Sequence, residues 1–452
     1  VGHNRTAYEY SRPILFLFVP YAMALLAWRR GRRAPLWLLL VGAGVLHVLV
    51  LFAPLPQSQD LYQYLFYGRM QAVHGANPFT VNPSTFWPDP WFPWIRWNTQ
   101  PSAYGPAWIL LSFGVVKAAG NSLAQAFVGL KLVVLLLDAA VVAAILALGK
   151  DRRDPNGARG WGVLAFAWNP LVLITVPLAG SADVGVVAAL LGAILARRRG
   201  RTGLATALLA VASLVKVYAA VGLLLHLVLL LRERGVKRAA VHAGGALGLG
   251  AVAFAPYWAG LSTFQGLLNM AQMRNQSLVG SIQRLVLRPV LAAVGYGTPT
   301  RGSQLMARWI VGAILAGVVV WAIRKVRDEQ TLWFAVLAAM SAYLLLSPWF
   351  LYWYILGPLA LAVVLPRNRL TDPVLTFSGT ALVSVYLTPV RLLLLVQSLL
   401  RYAPPILVFI LQGRRSKAEA QDRSAIAPGI PDPTTPRASP NGAVSEGAPA
   451  TK

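Results

Sequence analysis

The chain contains no cysteine among its 452 residues, so disulfides, thiolate metal sites and cysteine nucleophiles are excluded. Charge is scarce as well. Only 12% of residues are Asp, Glu, Lys or Arg, against about 25% in an ordinary soluble domain. The shortage falls on one sign, with 15 acidic residues beside 41 basic ones. Any general base must therefore come from a very short list of carboxylates. A Walker loop, a dinucleotide fingerprint and metal-ligand spacings are also missing, so chemistry driven by ATP is not expected.

Apolar sequence fills the space that charge leaves. Hydrophobic residues make up 57% of the chain and mean hydropathy is +0.58. Runs able to cross ~30 Å of hydrocarbon recur from Pro13 to Gln412, which predicts an all-α polytopic membrane protein. The net charge of +26 would suggest nucleic acid in a soluble protein. In a membrane protein, Arg and Lys gather in cytoplasmic loops, so the lipid bilayer is the expected partner and nucleic acid is not. No cleavable signal peptide is expected: Arg29, Arg30, Arg32 and Arg33 follow the first apolar segment, without a small-residue cleavage site.

Basic clusters at Arg29–Arg33, Lys150–Arg153, Arg197–Arg201, Arg232–Arg238, Arg324–Arg327, Arg367–Arg369 and Arg414–Lys417 punctuate the apolar runs. Placing all of them in the cytoplasm predicts membrane helices near 12–28, 34–54, 126–149, 161–178, 182–196, 203–217, 218–231, 238–258, 307–323, 331–346, 349–365, 371–390 and 392–411, about 11–13 crossings in all. Residues 203–231 must fold back on themselves, which sets Lys216 near an outer turn. Parity forbids a simple crossing for Tyr104–Ala119, which is expected to be re-entrant or to lie flat. Two long loops then face outward. Leu55–Ala103 carries Trp87, Trp91, Trp94 and Trp97 and is expected to form interfacial helices. Ala259–Ala307 carries Arg274, Arg284, Arg288 and Arg301 and no acidic residue. The membrane domain spans 1–412. From 413 to 452 Pro, Ser, Ala, Thr and Gly dominate, which predicts a disordered cytoplasmic tail.

On this topology the outward carboxylates are Glu9, Asp60, Asp89 and Asp183. Glu9 has no loop around it, and Asp89, between two prolines, reads as a turn. Asp60 opens an apparent helix with Ser58 as N-cap, and Tyr64 and Tyr67 share its face. An acid there can simply complement the helix dipole; in a cleft shielded by Trp and Pro it can instead be tuned as a base. Asp183, after Gly180-Ser181-Ala182, is more simply a helix-start residue. Arg69, Lys216 and the arginines of the second loop suit an anionic partner such as phosphate, or lipid headgroups of the outer leaflet. Asp138 and Lys131, seven residues apart, are expected to pair inside the membrane. His74 is a lesser candidate base.

The stretch Ser58-Gln59-Asp60-Leu61-Tyr62-Gln63-Tyr64-Leu65-Phe66-Tyr67-Gly68-Arg69-Met70-Gln71, followed by Gly75-Ala76-Asn77-Pro78-Phe79, resembles the first-loop signature of GT-C glycosyltransferases. The nearest branch is that of polyprenyl-phosphate-mannose-dependent mannosyltransferases. Tyr104-Gly105-Pro106, Trp168-Asn169-Pro170-Leu171, Gly180-Ser181-Ala182-Asp183 and Leu214-Val215-Lys216-Val217-Tyr218 are similar to later blocks of that family, and Ser347–Tyr354 is a fainter echo. The resemblance covers roughly Pro54–Ala219. It implies a GT-C-like bundle in the cell membrane that moves a sugar, mannose by preference, from a polyprenyl-phosphate donor to a hydroxyl of a cell-envelope glycan or glycolipid on the extracytoplasmic face. It also implies Asp60 as the base of an inverting transfer, with Tyr64, Arg69, Tyr104, Asp183, Lys216 and Arg274 binding substrate and Trp349 packing on the sugar or prenyl chain. The family often has two acids at the first-loop site; here the first is Gln59, so a divalent metal is disfavoured and no cofactor is assigned. A transporter or flippase of an anionic lipid-linked saccharide would use the same cations without a base. Such proteins often show two related halves, and none is visible here.

Overall fold

The computed structural model describes residues 3–53, 60–150, 152, 154–272, 277–387 and 394–426. Ser58, Gln59 and Arg274 lie outside these residues, as does the side chain of Glu9. Among the described residues every regular element is a helix, as the apolar composition requires of a chain that spans lipid. The molecule is an all-α polytopic membrane protein.

Among the described residues, four helices are long and apolar enough to cross a bilayer: Leu123–Gly149, Pro299–Lys325, Glu329–Leu346 and Leu395–Arg414. A fifth crossing results if Pro155–Ala167 and Pro170–Leu178, bent by 52°, are taken as one. This is fewer than the 11–13 expected, although every expected apolar segment is helical at least in part. Five more apolar helices, Phe16–Arg29, Leu36–Leu51, Pro106–Ala119, Thr202–Val215 and Tyr352–Val364, are shorter than a full crossing needs, and breaks within the apolar runs contribute. Asn169 caps a new helix at Pro170, Gly235 interrupts Ala220–Phe254 at φ 77°, and Pro348 separates Glu329–Leu346 from the turn Tyr352–Ile355. Lipid-facing surfaces remain apolar: Leu136, Leu247 and Trp309 are 70%, 75% and 78% exposed. The helix Pro106–Ala119 has 14 residues and rises about 21 Å at ~1.5 Å per residue, too short for a full crossing and in keeping with the parity expectation.

The expected Asp138–Lys131 pair does not form. Seven residues are about two helical turns, so the groups share a face but stand ~10 Å apart along the axis. Asp138 meets His47 Nε2 at 2.8 Å. Lys131 Nζ instead donates to the carbonyls of Pro177, at 2.6 Å, and Leu178, at the end of the broken helix. Asn169 also does more than cap: its Nδ2 donates to Tyr21 Oη at 3.0 Å and Ser378 Oγ at 2.9 Å, tying three helices together.

The chain divides into two compact units, Val1–Phe409 and Ile410–Lys452, and every residue of the site below belongs to the first. The tail expected to lose structure from Gly413 is helical to Ile426. Its run of Arg, Lys, Ala, Glu and Gln consists of strong helix formers. Residues 427–452 lie outside the described part.

Candidate active site

Asp60 is the first residue of the helix Asp60–Ala72, where an acid is favoured by the unsatisfied N–H groups of the opening turn. The helix lies against Pro106–Ala119, and two glycines let further chain reach its start. A side chain at Gly105 would lie 2.0 Å from the Leu214 carbonyl; with none, the Gly105 N–H donates to Val215 O at 3.0 Å, which brings Tyr104 beside Lys216. Gly180, at φ +72°, leaves room for Leu61, so the Ser181–Asp183 turn packs on the same helix. Three separated stretches of sequence thus converge on one carboxylate.

Tyr104 Oη donates to Asp60 Oδ2 at 3.2 Å, and the Trp97 indole also donates to the Asp60 carboxylate. Asp183 is fully buried. It accepts from Lys216 Nζ at 2.6 Å, Tyr218 Oη at 2.6 Å and Ser181 Oγ at 2.9 Å. Lys216 occupies an extended residue, φ −147° and ψ 128°, between the helix Thr202–Val215 and the turn Val217–Ala219. Its ammonium lies over the rings of Tyr354, at 4.6 Å, and Tyr104, at 5.4 Å. Burial pushes the Asp60 carboxyl above its usual range. Lys216 and the hydrogen bonds from Tyr104 and Trp97 oppose that shift without cancelling it, and Asp183 adds repulsion. A poised base has this character: an acid with raised proton affinity, oriented by fixed donors.

Asp60 opens on a cavity of about 90 Å³ whose lining includes Tyr67, Trp97, Tyr104, Met270, Trp349 and Trp353. Trp97 and Trp349 meet edge to face at 5.7 Å. The indole N–H groups of Trp349 and Trp353 are buried without a hydrogen-bond partner among the described residues. Buried donors are normally satisfied, so these two suit the oxygens of a bound ligand. Among the described residues, no group of three or more His, Asp or Glu side chains could hold a metal ion. Asp60 and Asp183 have Lys216 as their common cation.

Of the residues expected at the site, Asp60, Tyr104, Asp183 and Lys216 are brought together. Tyr64 is fully buried behind them, edge-on to Tyr104 at 4.7 Å and Trp108 at 5.6 Å. Arg69 points elsewhere. Its Nε contacts both oxygens of Asp89, at 2.7 and 2.9 Å, and its guanidinium covers the Trp91 ring at 4.3 Å. His74 Nε2 joins the same carboxylate at 2.8 Å. Burial alone would raise Asp89, but the Trp91 amide, Arg69 and His74 hold it below its usual range. The expected turn at Asp89 is therefore the buried ionic anchor of the first loop. Arg284, Arg288 and Arg301 are exposed and do not line the cavity. Sequence reasoning assigns no site role to Trp97, Tyr218, Met270 or Trp353, although Trp97, Tyr218 and Trp353 lie in the aromatic first loop, the Leu214–Tyr218 block and Ser347–Tyr354.

Fold and site together describe a polytopic membrane protein with a buried, oriented carboxylate at an aromatic cavity. Residues 12–232 match the family model of the alpha-(1->6)-mannopyranosyltransferase N-terminal domain. The match supports a mannosyltransferase family, and with it mannose transfer by a glycosyltransferase. No curated protein matches the chain.

Proposed function

We propose that the chain is an inverting mannosyltransferase that takes mannose from a polyprenyl-phosphate donor and passes it to a hydroxyl of a cell-envelope glycan or glycolipid on the extracytoplasmic face. The observation that carries this reading is Asp60, a buried carboxylate of raised proton affinity held by Tyr104 and Trp97 at the cavity wall. In the reaction, the acceptor oxygen attacks the anomeric carbon while Asp60 takes the hydroxyl proton. The bond from that carbon to the phosphate oxygen breaks, and its electron pair leaves on the polyprenyl phosphate. Inversion to an α-linked product, as the family description names, requires a β-linked donor.

Charge balance favours this sequence. Two carboxylates and one ammonium sum to −1 before proton transfer and to zero after it, so Asp60 is neutralised as negative charge develops on the leaving group. The unpartnered Trp349 and Trp353 N–H groups supply preorganised donors for ligand oxygens. The distribution of basic clusters supports the extracytoplasmic placement.

The test is reconstitution in proteoliposomes with radiolabelled polyprenyl-phosphate-mannose and an acceptor oligosaccharide. Labelled product is expected from that donor and none from a water-soluble nucleotide-mannose. Movement of the labelled lipid between leaflets with no product would replace this reading with transport.

A further inference from the structure

A second cavity, apart from the one at Asp60, has a volume of about 730 Å³ and lies where Trp28, Arg29 and Arg33 meet Arg152, Trp161 and Arg367. Its floor is apolar, with Ile145 from the last turns of the span Leu123–Gly149 and Val363 from the end of Leu356–Val364. The cavity therefore reaches from a polar rim into the hydrocarbon level of a membrane helix.

Each arginine has protein partners, although the side chains of Arg33 and Arg367 remain 52% and 65% exposed. Arg29 lies over the Trp161 ring at 5.6 Å and Arg33 over Trp28 at 6.0 Å. Arg29 and Arg367 share Asp372, the latter at 2.8 Å, and Arg33 pairs with Asp154. Arg152 donates to the Val364 carbonyl and contacts no carboxylate among the described residues. Among the described residues, four arginines against two carboxylates leave +2 around the cavity. A guanidinium that gives one or two of its five N–H groups to protein still has others for phosphate.

We propose that this cavity binds the phosphate headgroup of an anionic phospholipid, with the acyl chains passing over the apolar floor. Basic pockets between membrane helices, rimmed by interfacial tryptophans, suit such headgroups. The apolar floor, continuous with a membrane span, favours a lipid over a free anion. The site is separate from Asp60 and stands whether or not the catalytic reading holds.

The experiment measures binding of a fluorescent phosphatidylglycerol to the full-length protein in detergent, with competition by unlabelled phosphatidylglycerol, phosphatidylcholine and inorganic phosphate. Phosphatidylglycerol is expected to displace the probe, and the other two are expected to fail. The double substitution Arg152→Gln/Arg367→Gln leaves the Arg29–Asp372 and Arg33–Asp154 pairs in place and removes the +2 excess. At about five-fold per arginine it should weaken binding roughly thirty-fold. The control Arg234→Gln/Arg238→Gln removes the same charge from exposed positions and should bind as the wild type does. Equal weakening by both doubles would overturn the proposal, as would displacement by phosphate or phosphatidylcholine at the concentration effective for phosphatidylglycerol. If the first double does not fold, competition on the wild type decides by the same criteria.

Discussion

Lys216→Met tests the electrostatic core of the site. Asp183 is fully buried and accepts at 2.6 Å from Lys216, 2.6 Å from Tyr218 and 2.9 Å from Ser181. Removing the cation leaves a buried carboxylate with two neutral donors. Breaking one side of a buried ion pair costs about 3–5 kcal/mol, most of it the penalty of the stranded charge. Replacing both partners should therefore hurt less than replacing one. Asp183→Asn/Lys216→Met is expected to recover at least ~2 kcal/mol of that loss. Thermal unfolding in detergent, followed by tryptophan fluorescence, would show Tm falling by several degrees for Lys216→Met and partly returning in the double variant. A second readout comes from Asp60, whose proton affinity Lys216 restrains: the acid limb of the pH–rate profile should move to higher pH in Lys216→Met. Equal Tm for the single and double variants, or an unmoved acid limb, would refute the coupling.

Further outcomes are expected from the same geometry. Because burial raises Asp60, transfer should rise with pH through a value above the usual carboxylate range and then level off. Stability runs the other way: the fold favours the protonated acid, so the contribution of Asp60 to stability is full at low pH and declines as pH climbs towards that raised value, and Asp60→Asn should flatten both trends. Arg69→Met leaves buried Asp89 with His74 and the Trp91 amide as partners and should cost up to about 3–5 kcal/mol of stability while leaving KM for the lipid donor unchanged; a large rise in KM would place Arg69 on the phosphate after all. Gly105→Ala, whose new Cβ would lie 2.0 Å from the Leu214 carbonyl, should abolish transfer. Gly203→Ala, at a helical position with open space, should be neutral or stabilise by up to ~1 kcal/mol.

Asp60 could be picked out in the sequence because acids are rare in this chain and its place at a helix start after an apolar run is a local signal. The converging partners were less visible. Tyr104 and Lys216 each stood out in a short motif, but that they meet depends on the bare backbone of Gly105. Trp349 and Trp353 reach the cavity from nearly three hundred residues away, and no periodicity reports such a contact. Arg69 illustrates the limit of charge counting: an arginine in an outward loop suits phosphate, yet Asp89, hidden between prolines, takes it. Lys131 and Asp138 share a helical face but find partners on other helices, because axial distance outweighs angular alignment. For the fold, run length located the apolar segments, whereas the breaks at Asn169, Gly235 and Pro348 decided how many of them are long enough to cross.

The central claim is that Asp60 removes the acceptor proton. It is tested most directly by single-turnover transfer of labelled mannose from polyprenyl-phosphate-mannose by Asp60→Asn in proteoliposomes, with donor affinity measured on the same preparation. The account predicts transfer reduced by about 10²–10⁴-fold, with donor affinity preserved and Tm not lowered. Transfer at the wild-type rate by Asp60→Asn would contradict it.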